Sequence, residues 1–369
     1  MRITLSDRIV TAVAVVLIAA GVQALLPLTG TAVHPAGAAS PAGRPPGRVT
    51  TQDAPGAAAQ AAAVRYWTPA RMSAALQTAQ RADQRGQPAK RAGQPAAAQA
   101  TAKPRPLARV RRLVKSVPRG PDRPWLAGQT GGDGLRWTHG GAVAAAVGKI
   151  FFTIGRADYV CSGTLVGGRR PTVALTAAHC VSGGPGPGGA QRWATNWVFV
   201  PGYRNGAMPY GEYTARRFLD AAGWAGPQGG TEQYDVAFVQ LTAATLNSGS
   251  GPAIPPSGLP VQFASSQQAA VPGHGYVFGY PAETPYTGLY PNFCAGPVSA
   301  VAGSASTSCA MTAGDSGGPW LAGFSPRSGS GRVFAVTTYK LSGNLRVLYG
   351  AVLGPEARAV YARAVSTAR

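Results

Sequence analysis

Short apolar runs, separated by glycine and proline, fill the chain from residue 140 onward. Runs of four to nine residues that are rich in β-branched and aromatic side chains predict strands. They cover residues 147–154, 159–166, 172–175, 196–201, 236–241, 276–279, 319–322, 332–340 and 346–352. Many short strands between turn signals favour an all-β barrel or sandwich over a βαβ fold. At 355–368, apolar residues recur at helical spacing and predict a C-terminal helix.

Residues 40–135 have a different pattern, because proline, alanine, glutamine, glycine and arginine dominate and apolar anchors are sparse. Such a segment cannot bury enough apolar surface to offset the entropy cost of ordering it. We therefore predict a largely disordered propeptide or linker. Two stretches within it show apolar residues at helical spacing, at 66–84 and at 107–117. In the second, basic residues flank the apolar stripe, which is typical of a surface helix.

The first 39 residues have the layout of an export signal. Two arginines lie within the first eight residues, residues 9–28 are uncharged and mostly apolar, and small residues follow at 36–39. This pattern predicts a secretory signal peptide that is cleaved after Ala38 or Ala39. An apolar run of this length also suffices to span a bilayer, so an uncleaved anchor is the alternative. In both cases the bulk of the chain is expected to face an oxidising exterior.

Positive charge is concentrated in the front third of the chain. The sequence carries 34 basic and 13 acidic residues, a net charge of +21, and residues 1–130 hold 18 of the basic residues against four acids. A basic leader of this kind suits contact with a membrane surface or an anionic wall polymer, or is a solvated leader without a partner. No zinc-finger spacing and no RNP-type motif is present, so we expect no specific nucleic-acid partner.

The counts of cysteine and histidine limit the other kinds of site. Four cysteines are too few for a disulfide scaffold, and four histidines leave few ways to build a histidine-rich metal site. We therefore expect neither a metal ion nor a cofactor. In an exported chain the cysteines are expected to form disulfides, and four cysteines allow three pairings.

Three separate motifs carry the candidate chemistry. His179 lies in Leu-Thr-Ala-Ala-His-Cys, Asp235 opens an apolar run, and Ser316 lies in Gly-Asp-Ser-Gly-Gly. A serine hydroxyl needs a base to take its proton, and histidine suits this role because its pKa lies near neutrality. A buried carboxylate then fixes the tautomer of the histidine. Asp235 leads directly into a strand that could bury it, whereas Asp315 adjoins the serine and should point away from the histidine.

In the order His, Asp, Ser, these motifs resemble the chymotrypsin-like (trypsin-fold) serine proteases over roughly residues 140–369. The segments at 200–203 (Val-Pro-Gly-Tyr) and 279–281 (Gly-Tyr-Pro) are similar to the secreted bacterial branch that includes glutamyl endopeptidases. The resemblance implies two six-stranded antiparallel β-barrels with a C-terminal helix, all within residues 136–369. It also implies hydrolysis of peptide bonds through an acyl-enzyme intermediate, with a protein or peptide as substrate.

The resemblance further implies roles for the backbone and the cysteines. The N–H groups of Gly314 and Ser316 would form the oxyanion hole, which stabilises the negative oxygen of the transition state. Two disulfides would pin the loops around the histidine and the serine. The implied pairs are Cys161 with Cys180 and Cys294 with Cys309.

Substrate specificity departs from the best-known members of that family. Trypsin-type specificity would place an Asp six residues before the serine, where Ala310 stands. Glutamyl-specific relatives would carry a His on the following strand, and the stretch 334–340 contains none. We expect Ala310 to lie at the base of the pocket, and Thr338 and Tyr339 to form the edge where an extended peptide adds as a strand.

Two other functions are compatible with parts of the sequence. One is a secreted or anchored, non-catalytic binding protein on a protease-like scaffold, and the other is an esterase that uses the same three side chains. The serine elbow of an α/β-hydrolase is excluded, because it needs a His after the serine and the last histidine here is His274. A zincin is also excluded, since His-Glu-x-x-His is absent. We expect the protein to be a monomer.

Asp315 leads to a prediction about activation from a zymogen. In animal relatives, a new N-terminal amine pairs with the Asp beside the nucleophile, but no clear Ile-Val-Gly-Gly start exists here. If activation nevertheless uses such an insertion, the mature chain should begin within residues 125–145. N-terminal sequencing of the secreted form tests this, and a start far outside that range would reject it.

Overall fold

The computed structural model describes residues 49–53, 56–84, 130–168, 172–186, 189–227, 229–242, 256–267, 269, 271–341 and 343–366, without the side chains of 79–84. The predicted signal peptide or anchor and the predicted helix at 107–117 lie outside these residues. None of the described helices combines the length and the hydropathy of a membrane-spanning segment.

Strands dominate the described part of the chain. In chain order they are β1 (Val49–Asp53), β2 (Leu135–Arg136), β3 (Val147–Ile154), β4 (Ala157–Val166), β5 (Val173–Thr176), β6 (Ser182–Pro185), β7 (Gln191–Trp193), β8 (Thr195–Pro201), β9 (Tyr213–Ala221), β10 (Ala237–Leu241), β11 (His274–Gly279), β12 (Asn292–Pro297), β13 (Ser299–Val301), β14 (Ser304–Ser308), β15 (Pro319–Ser325), β16 (Ser330–Leu341) and β17 (Asn344–Val352). The helices are α1 (Ala57–Tyr66), α2 (Pro69–Gln84), α3 (Gly141–Ala146) and α4 (Pro355–Ser366). Each of the nine predicted strands overlaps one of these. Most strands that were not predicted are short or polar, as in the Ser-Ala-Ser-Thr-Ser of β14, but the nine-residue β9 was missed as well.

The first sheet closes into an antiparallel barrel. Its six strands follow the order β9-β10-β5-β4-β3-β8, and β8 pairs back onto β9 to complete the ring. Phe151, Phe199 and Phe238, which come from three of these strands, are fully buried in its core. Burial of each such side chain stabilises the fold by roughly 2 kcal/mol relative to leaving it in water.

The second sheet has eight strands in the order β13-β14-β17-β16-β15-β11-β12-β2. Trp137, which follows β2, is 2% exposed and packs edge-on against Phe278, Phe293 and Phe324 at ring-centroid distances of 5.2 to 5.7 Å. Its indole N–H donates to the carbonyl of Gly140 at 3.1 Å. The predicted all-β class is confirmed, and the short strands β13 and β2 add to the six strands expected in this half.

Helix α4 follows the second sheet in the chain but packs on the first barrel. Its Val360 is fully buried, and its Tyr361 ring lies 5.2 Å from Phe238. The side-chain N–H of Gln240 on β10 donates to the carbonyl of Ala364 at 2.7 Å. The predicted C-terminal helix is therefore confirmed, and it ties the end of the chain to the opposite half of the molecule.

Both implied disulfides are confirmed. Cys161 on β4 bonds to Cys180 in the turn after β5, and Cys294 on β12 bonds to Cys309 in the loop that leads to Ser316. Closing loops of this length contributes about 3 kcal/mol each in the chain-entropy description.

Part of the predicted pro-region folds onto the first barrel. Residues 49–53 and 56–84, called the N-terminal clamp below, comprise β1, α1 and α2. Helix α2 confirms the helical spacing predicted at 66–84. Trp67 and Met72 are only 1% and 2% exposed, so this part of the segment carries apolar anchors that the average composition of 40–135 conceals.

The packing of Trp137 generates a prediction about stability. Trp137→Ala should lower the free energy of unfolding by about 3–5 kcal/mol, because it empties a large site that three aromatic rings enclose. Urea denaturation followed by circular dichroism measures this. Leu345→Ala, at a side chain that is 50% exposed, is the control and should change stability little. Equal losses in the two variants would contradict the described core.

Candidate active site

His179 lies in a 3-10 turn, Ala178–Cys180, that directly follows β5. Cys180 in this turn is bonded to Cys161, and its carbonyl accepts the indole N–H of Trp197 at 3.2 Å. The side chain of His179 is therefore presented by a turn that is fixed on both sides. The residue is 8% exposed, so the ring is largely shielded from water.

Asp235 holds both the ring and the backbone of His179. Its Oδ2 lies 2.6 Å from His179 Nδ1, and its Oδ1 accepts the His179 backbone N–H at 2.8 Å. Asp235 is 1% exposed and sits between the 3-10 turn Glu232–Tyr234 and β10. A buried carboxylate is costly unless donors surround it, and here one residue supplies two nitrogens.

Ser316 is held by the first barrel although it belongs to the second half. Its carbonyl accepts the backbone N–H of Ser162 on β4 at 2.8 Å. The next residue, Gly317, has φ of +78°, and a Cβ there would fall 2.1 Å from Thr176 Oγ1. Only glycine fits this close approach between the two halves. Ser316 is 4% exposed and shares a cleft with His179.

Two backbone N–H groups in this cleft remain available. Neither the N–H of Gly314 nor that of Ser316 donates to an acceptor among the described residues. Gly314 has φ of +100°, and a Cβ there would fall 2.7 Å from the carbonyl oxygen of Tyr280, so the turn requires glycine. Its own carbonyl accepts the hydroxyl of Ser162 at 2.8 Å. This loop therefore resembles a preformed site for an oxyanion.

Within the described residues, Ser316 Oγ makes no hydrogen bond to the imidazole. Catalytic hydrogen bonds are often long without substrate and tighten in the complex. The His179–Asp235 pair and the serine are thus brought to one cleft, and the His–Asp contact is already formed.

The cleft has a volume of about 430 Å³ and runs from Ser316 between loops of the first barrel. Phe152, Tyr159 and Arg192 line it together with His179. The Arg192 guanidinium donates to the carbonyl of Gly183 at 2.6 Å. The hydroxyl of Tyr159 is buried and has no hydrogen-bond partner among the described residues. The Arg192 guanidinium thus places a positive charge at the wall of the cleft.

The three residues expected to bind substrate lie outside the lining of this cleft. The N–H of Ala310 donates to the carbonyl of Gly132 at 2.7 Å. Thr338 is 1% exposed, and its hydroxyl donates to the carbonyl of Val336 at 3.2 Å. Tyr339 stacks on Tyr349 at 4.7 Å. Their role in substrate binding stays a prediction.

Asp315, next to the serine, is buried at 2% exposure. Its Oδ2 has no hydrogen-bond partner among the described residues. Burial raises the pKa of Asp315 to about 7, and the positive charge of Lys340 opposes the increase. Lys340 itself donates to the carbonyls of Cys309 and Leu345. Burial lowers the pKa of Lys340 as well.

Cys161, His179 and Cys180 bring three atoms that could ligate a metal within 4.8 Å of one another. The two sulfurs, however, are bonded to each other, so no thiolate is available to hold an ion. The cluster does not fit a metal site.

Two residues beside the site were missed in the sequence. Ser162 bonds to residues 314–316, called the oxyanion loop below, and Lys149 lies fully buried on β3 directly across from Ser162. A lone lysine in the apolar run Val-Gly-Lys-Ile-Phe-Phe was a visible signal, because a buried lysine is rare without a role. The hydroxyl of Ser162 gave no such signal, since serine is tolerated in many strands.

The buried carboxyl of Asp315 makes the pH dependence of stability predictable. Burial raises the pKa of Asp315 to about 7 in the folded protein, above its ordinary value near 4. The folded state therefore binds the proton more tightly than the unfolded chain, and the stability that this contributes is present at low pH and is lost as the pH rises from about 4 to about 7. Relative to wild type, Asp315→Asn should therefore become progressively more stable as the pH rises from about 4 to about 7. Urea denaturation at several pH values measures this. A constant difference between the two proteins would contradict it.

Known proteins provide independent evidence for the family. The model of the trypsin-like peptidase domain matches residues 161–323. The crystal structure of protease Anisep from Arthrobacter nicotinovorans matches at 35% identity with a TM-score of 0.52, covering 61% of this chain and 98% of that one. A thermostable serine protease, AL20, from an extremophilic microorganism matches at 27% identity with a TM-score of 0.52, covering 61% of this chain and 99% of that one.

A third structure, a Glu endopeptidase, matches at 16% identity with a TM-score of 0.46, covering 63% of this chain and 97% of that one, and is too remote to bear on specificity. No curated protein sequence matches the chain. The match to Anisep covers nearly all of that protease. His179, Asp235 and Ser316 all lie within residues 161–323, which the family model matches. The chain therefore belongs to the chymotrypsin-like, or trypsin-like, family of serine proteases.

Proposed function

We propose that this protein is a secreted serine endopeptidase that cleaves peptide bonds through an acyl-enzyme on Ser316. The observation that carries the proposal is the pair of hydrogen bonds from His179 to the buried Asp235, beside a serine in the same cleft. A binding module has no need of an imidazole that is oriented by a buried carboxylate. Activation of a serine hydroxyl needs the imidazole as the base and the carboxylate to orient it.

In the proposed reaction, His179 Nε2 takes the proton of Ser316 Oγ as that oxygen attacks the carbonyl carbon of the peptide bond. Asp235 keeps the proton of the neutral ring on Nδ1, which leaves Nε2 free to accept, and stabilises the imidazolium that forms. The imidazolium then donates its proton to the leaving amine. This step breaks the C–N bond and leaves an ester on Ser316.

Water completes the cycle. His179 takes a proton from the water molecule that attacks the ester carbonyl, and returns it to Ser316 Oγ as the new carboxylic acid leaves. In both halves of the reaction, negative charge develops on the former carbonyl oxygen. The N–H groups of Gly314 and Ser316 are assigned to that oxygen, and removal of one such donor costs about 3 kcal/mol of transition-state stabilisation.

The proposed substrate is a protein or peptide bound in an extended form. Strand β16 lies beside the loop that holds the serine, since its Thr337 carbonyl accepts the N–H of Gly317 at 2.8 Å. Thr338 and Tyr339, which follow on this strand, are the proposed edge to which substrate adds as a strand. Ala310 offers no charge for Arg or Lys recognition. The primary side-chain preference therefore follows from shape and apolar contact in this proposal rather than from an ion pair.

Export is part of the proposal. Two disulfides flank the site, and such bonds persist in oxidising compartments. The apolar run at 9–28 with small residues after it has the layout of a secretory signal. An uncleaved anchor with the catalytic part outside the cell is the alternative form.

Replacement of the nucleophile tests the proposal. Ser316→Ala should lower kcat for peptide hydrolysis by roughly a million-fold, since the serine and histidine act as one unit. It should also abolish covalent labelling by a serine-directed phosphonate. Ser299→Ala, on exposed β13, is the control and should keep both activities.

Undiminished hydrolysis by Ser316→Ala would end the proposal. A panel of matched ester and peptide substrates separates a peptidase from an esterase. A wild-type protein that resists the phosphonate would favour the non-catalytic binding protein instead.

A further inference from the structure

The N-terminal clamp is docked on the catalytic barrel by several independent contacts. Strand β1 pairs with β9 over five residue pairs, from Val49 opposite Ala221 to Asp53 opposite Arg217. The indole of Trp67 is 1% exposed, and its ring lies 5.4 Å from Phe151 in the barrel core. Main-chain pairing and a buried tryptophan are the contacts of an integral element and not of a loosely held leader.

Polar contacts fix the clamp at a second point. The Tyr66 hydroxyl donates to Asp158 at 2.8 Å, and the indole N–H of Trp67 donates to the carbonyl of Asn196. Arg71 lies 4.0 Å from the same Asp158. These contacts join the end of α1 and the start of α2 to β4 and β8.

The clamp does not block the active-site cleft. Among the described residues, none of those that line the cleft belongs to residues 49–84. An inhibitory propeptide acts by filling the substrate site, and this segment packs elsewhere on the barrel.

Helix α2 instead closes over a buried amine. Leu76 of α2 is 4% exposed, and a Cβ placed on Gly288 would fall 2.5 Å from Leu76 Cδ2 and 2.9 Å from Lys149 Nζ. The leucine methyl group and the lysine amine therefore both lie next to the point that a Cβ on Gly288 would occupy. Leu76 is part of what keeps this amine away from water.

Lys149 is fully buried and has no carboxylate partner among the described residues. Its amine donates to the carbonyl of Tyr280 at 3.3 Å. Burial lowers the pKa of Lys149 to about 7. A buried amine without a counter-ion is costly, and access of water would let it ionise and withdraw from that carbonyl.

Tyr280 connects this amine to the oxyanion loop. Its backbone N–H donates to Ser162 Oγ at 2.8 Å, and the same hydroxyl donates to the carbonyl of Gly314 at 2.8 Å. The Tyr280 carbonyl that Lys149 holds is also the atom that a Cβ on Gly314 would meet at 2.7 Å. A shift of Tyr280 would therefore move the peptide units around Gly314.

We propose that the N-terminal clamp is a permanent, activating part of the catalytic unit, which stays bound when the chain is cut between residues 84 and 130 and holds the oxyanion loop through Leu76, Lys149 and Tyr280. Lys149 and Ser162 are positioning residues in this arrangement, because they act on Gly314 and do not touch substrate. The claim that the clamp stays bound rests on the docking contacts alone. The claim that the clamp activates the enzyme rests on the proposed serine peptidase function.

The first experiment tests whether the clamp stays bound. Residues 94–100 are replaced by the recognition sequence of a site-specific protease in the full chain carrying Ser316→Ala, which removes self-cleavage. After cutting, the N-terminal fragment should co-elute one-to-one with the catalytic fragment in size exclusion and in native mass spectrometry, and should separate in urea. Elution of the two fragments apart under native conditions would overturn the proposal, whatever the activity of the wild-type enzyme.

The second experiment tests activation in the otherwise wild-type chain. Leu76→Ala should lower kcat about tenfold with KM nearly unchanged, as expected when only oxyanion positioning loosens. Affinity for a peptide boronic acid, which mimics the tetrahedral state, should fall by the same factor. Ser73→Ala on the exposed face of α2 is the matched control, and Leu76→Met should restore activity because it restores the volume.

A merely structural role for Leu76 predicts a different result. It would lower the melting temperature but leave kcat and boronic-acid affinity unchanged, and that outcome would overturn the activating role. In a Lys149→Met background, which removes the amine, Leu76→Ala should have a much smaller effect on kcat. Equal effects in both backgrounds would show that the clamp does not act through Lys149. If Leu76→Ala fails to fold, the smaller truncation Leu76→Val takes its place in the same two backgrounds.

If Ser316→Ala kept its hydrolytic activity, the serine mechanism would fail, and the co-elution experiment would still decide whether the clamp is permanent. If hydrolysis is lost but the fragments separate, the function stands and the clamp proposal falls.

Discussion

The site depends on one main-chain contact between the two halves of the molecule. The N–H of Ser162 on β4 donates to the carbonyl of Ser316, and the hydroxyl of Thr176 donates to the carbonyl of Ser162 at 2.8 Å. His179 and Asp235 come from the first barrel, whereas Ser316 comes from a loop of the second sheet. This contact, together with the bonds that the Ser162 hydroxyl makes to Gly314 and Tyr280, fixes Ser316 relative to His179. Gly317 is required at the crossing, because any side chain would collide with Thr176.

Asp235, Asp315 and Lys149 are three of the buried ionisable residues near that contact, and their environments differ. Asp235 accepts two hydrogen bonds from His179 and is well satisfied. Among the described residues, Asp315 keeps one carboxylate oxygen without a hydrogen-bond partner, and the only hydrogen-bond acceptor of the Lys149 amine is a carbonyl. Unsatisfied buried charge is unfavourable, so the last two positions are sensitive to any change that admits water or supplies a partner. The same site thus combines the fixed His179–Asp235 pair with two groups, Asp315 and Lys149, whose charge depends on access of water.

The sequence could predict the parts of the site that carry local signals. His179, Asp235 and Ser316 lie in distinctive motifs, and the strands around them have apolar runs that their burial explains. Strand β9 was missed, because its Tyr-Thr-Ala-Arg-Arg-Phe-Leu-Asp-Ala carries two arginines that interrupt the apolar pattern. The contact of Leu76 with Gly288 and Lys149 could not be predicted, since it joins positions far apart in the chain and depends on how α2 lies on the barrel. Pairing across such distances follows from packing, which no local pattern encodes.

The geometry of β9 explains why the barrel needs the clamp. Strand β8 closes the barrel through only Tyr213 and Thr214, at the beginning of β9. Beyond that point the outer edge of β9, from Arg217 to Ala221, pairs with β1. If β1 were removed, this edge would expose unpaired N–H and C=O groups, which invite pairing with other chains. Burial of Trp67 in the same region adds an apolar surface that would otherwise face water. A barrel that lost the clamp would therefore expose both an unpaired strand edge and the apolar surface that Trp67 covers, whereas a barrel that keeps the clamp exposes neither.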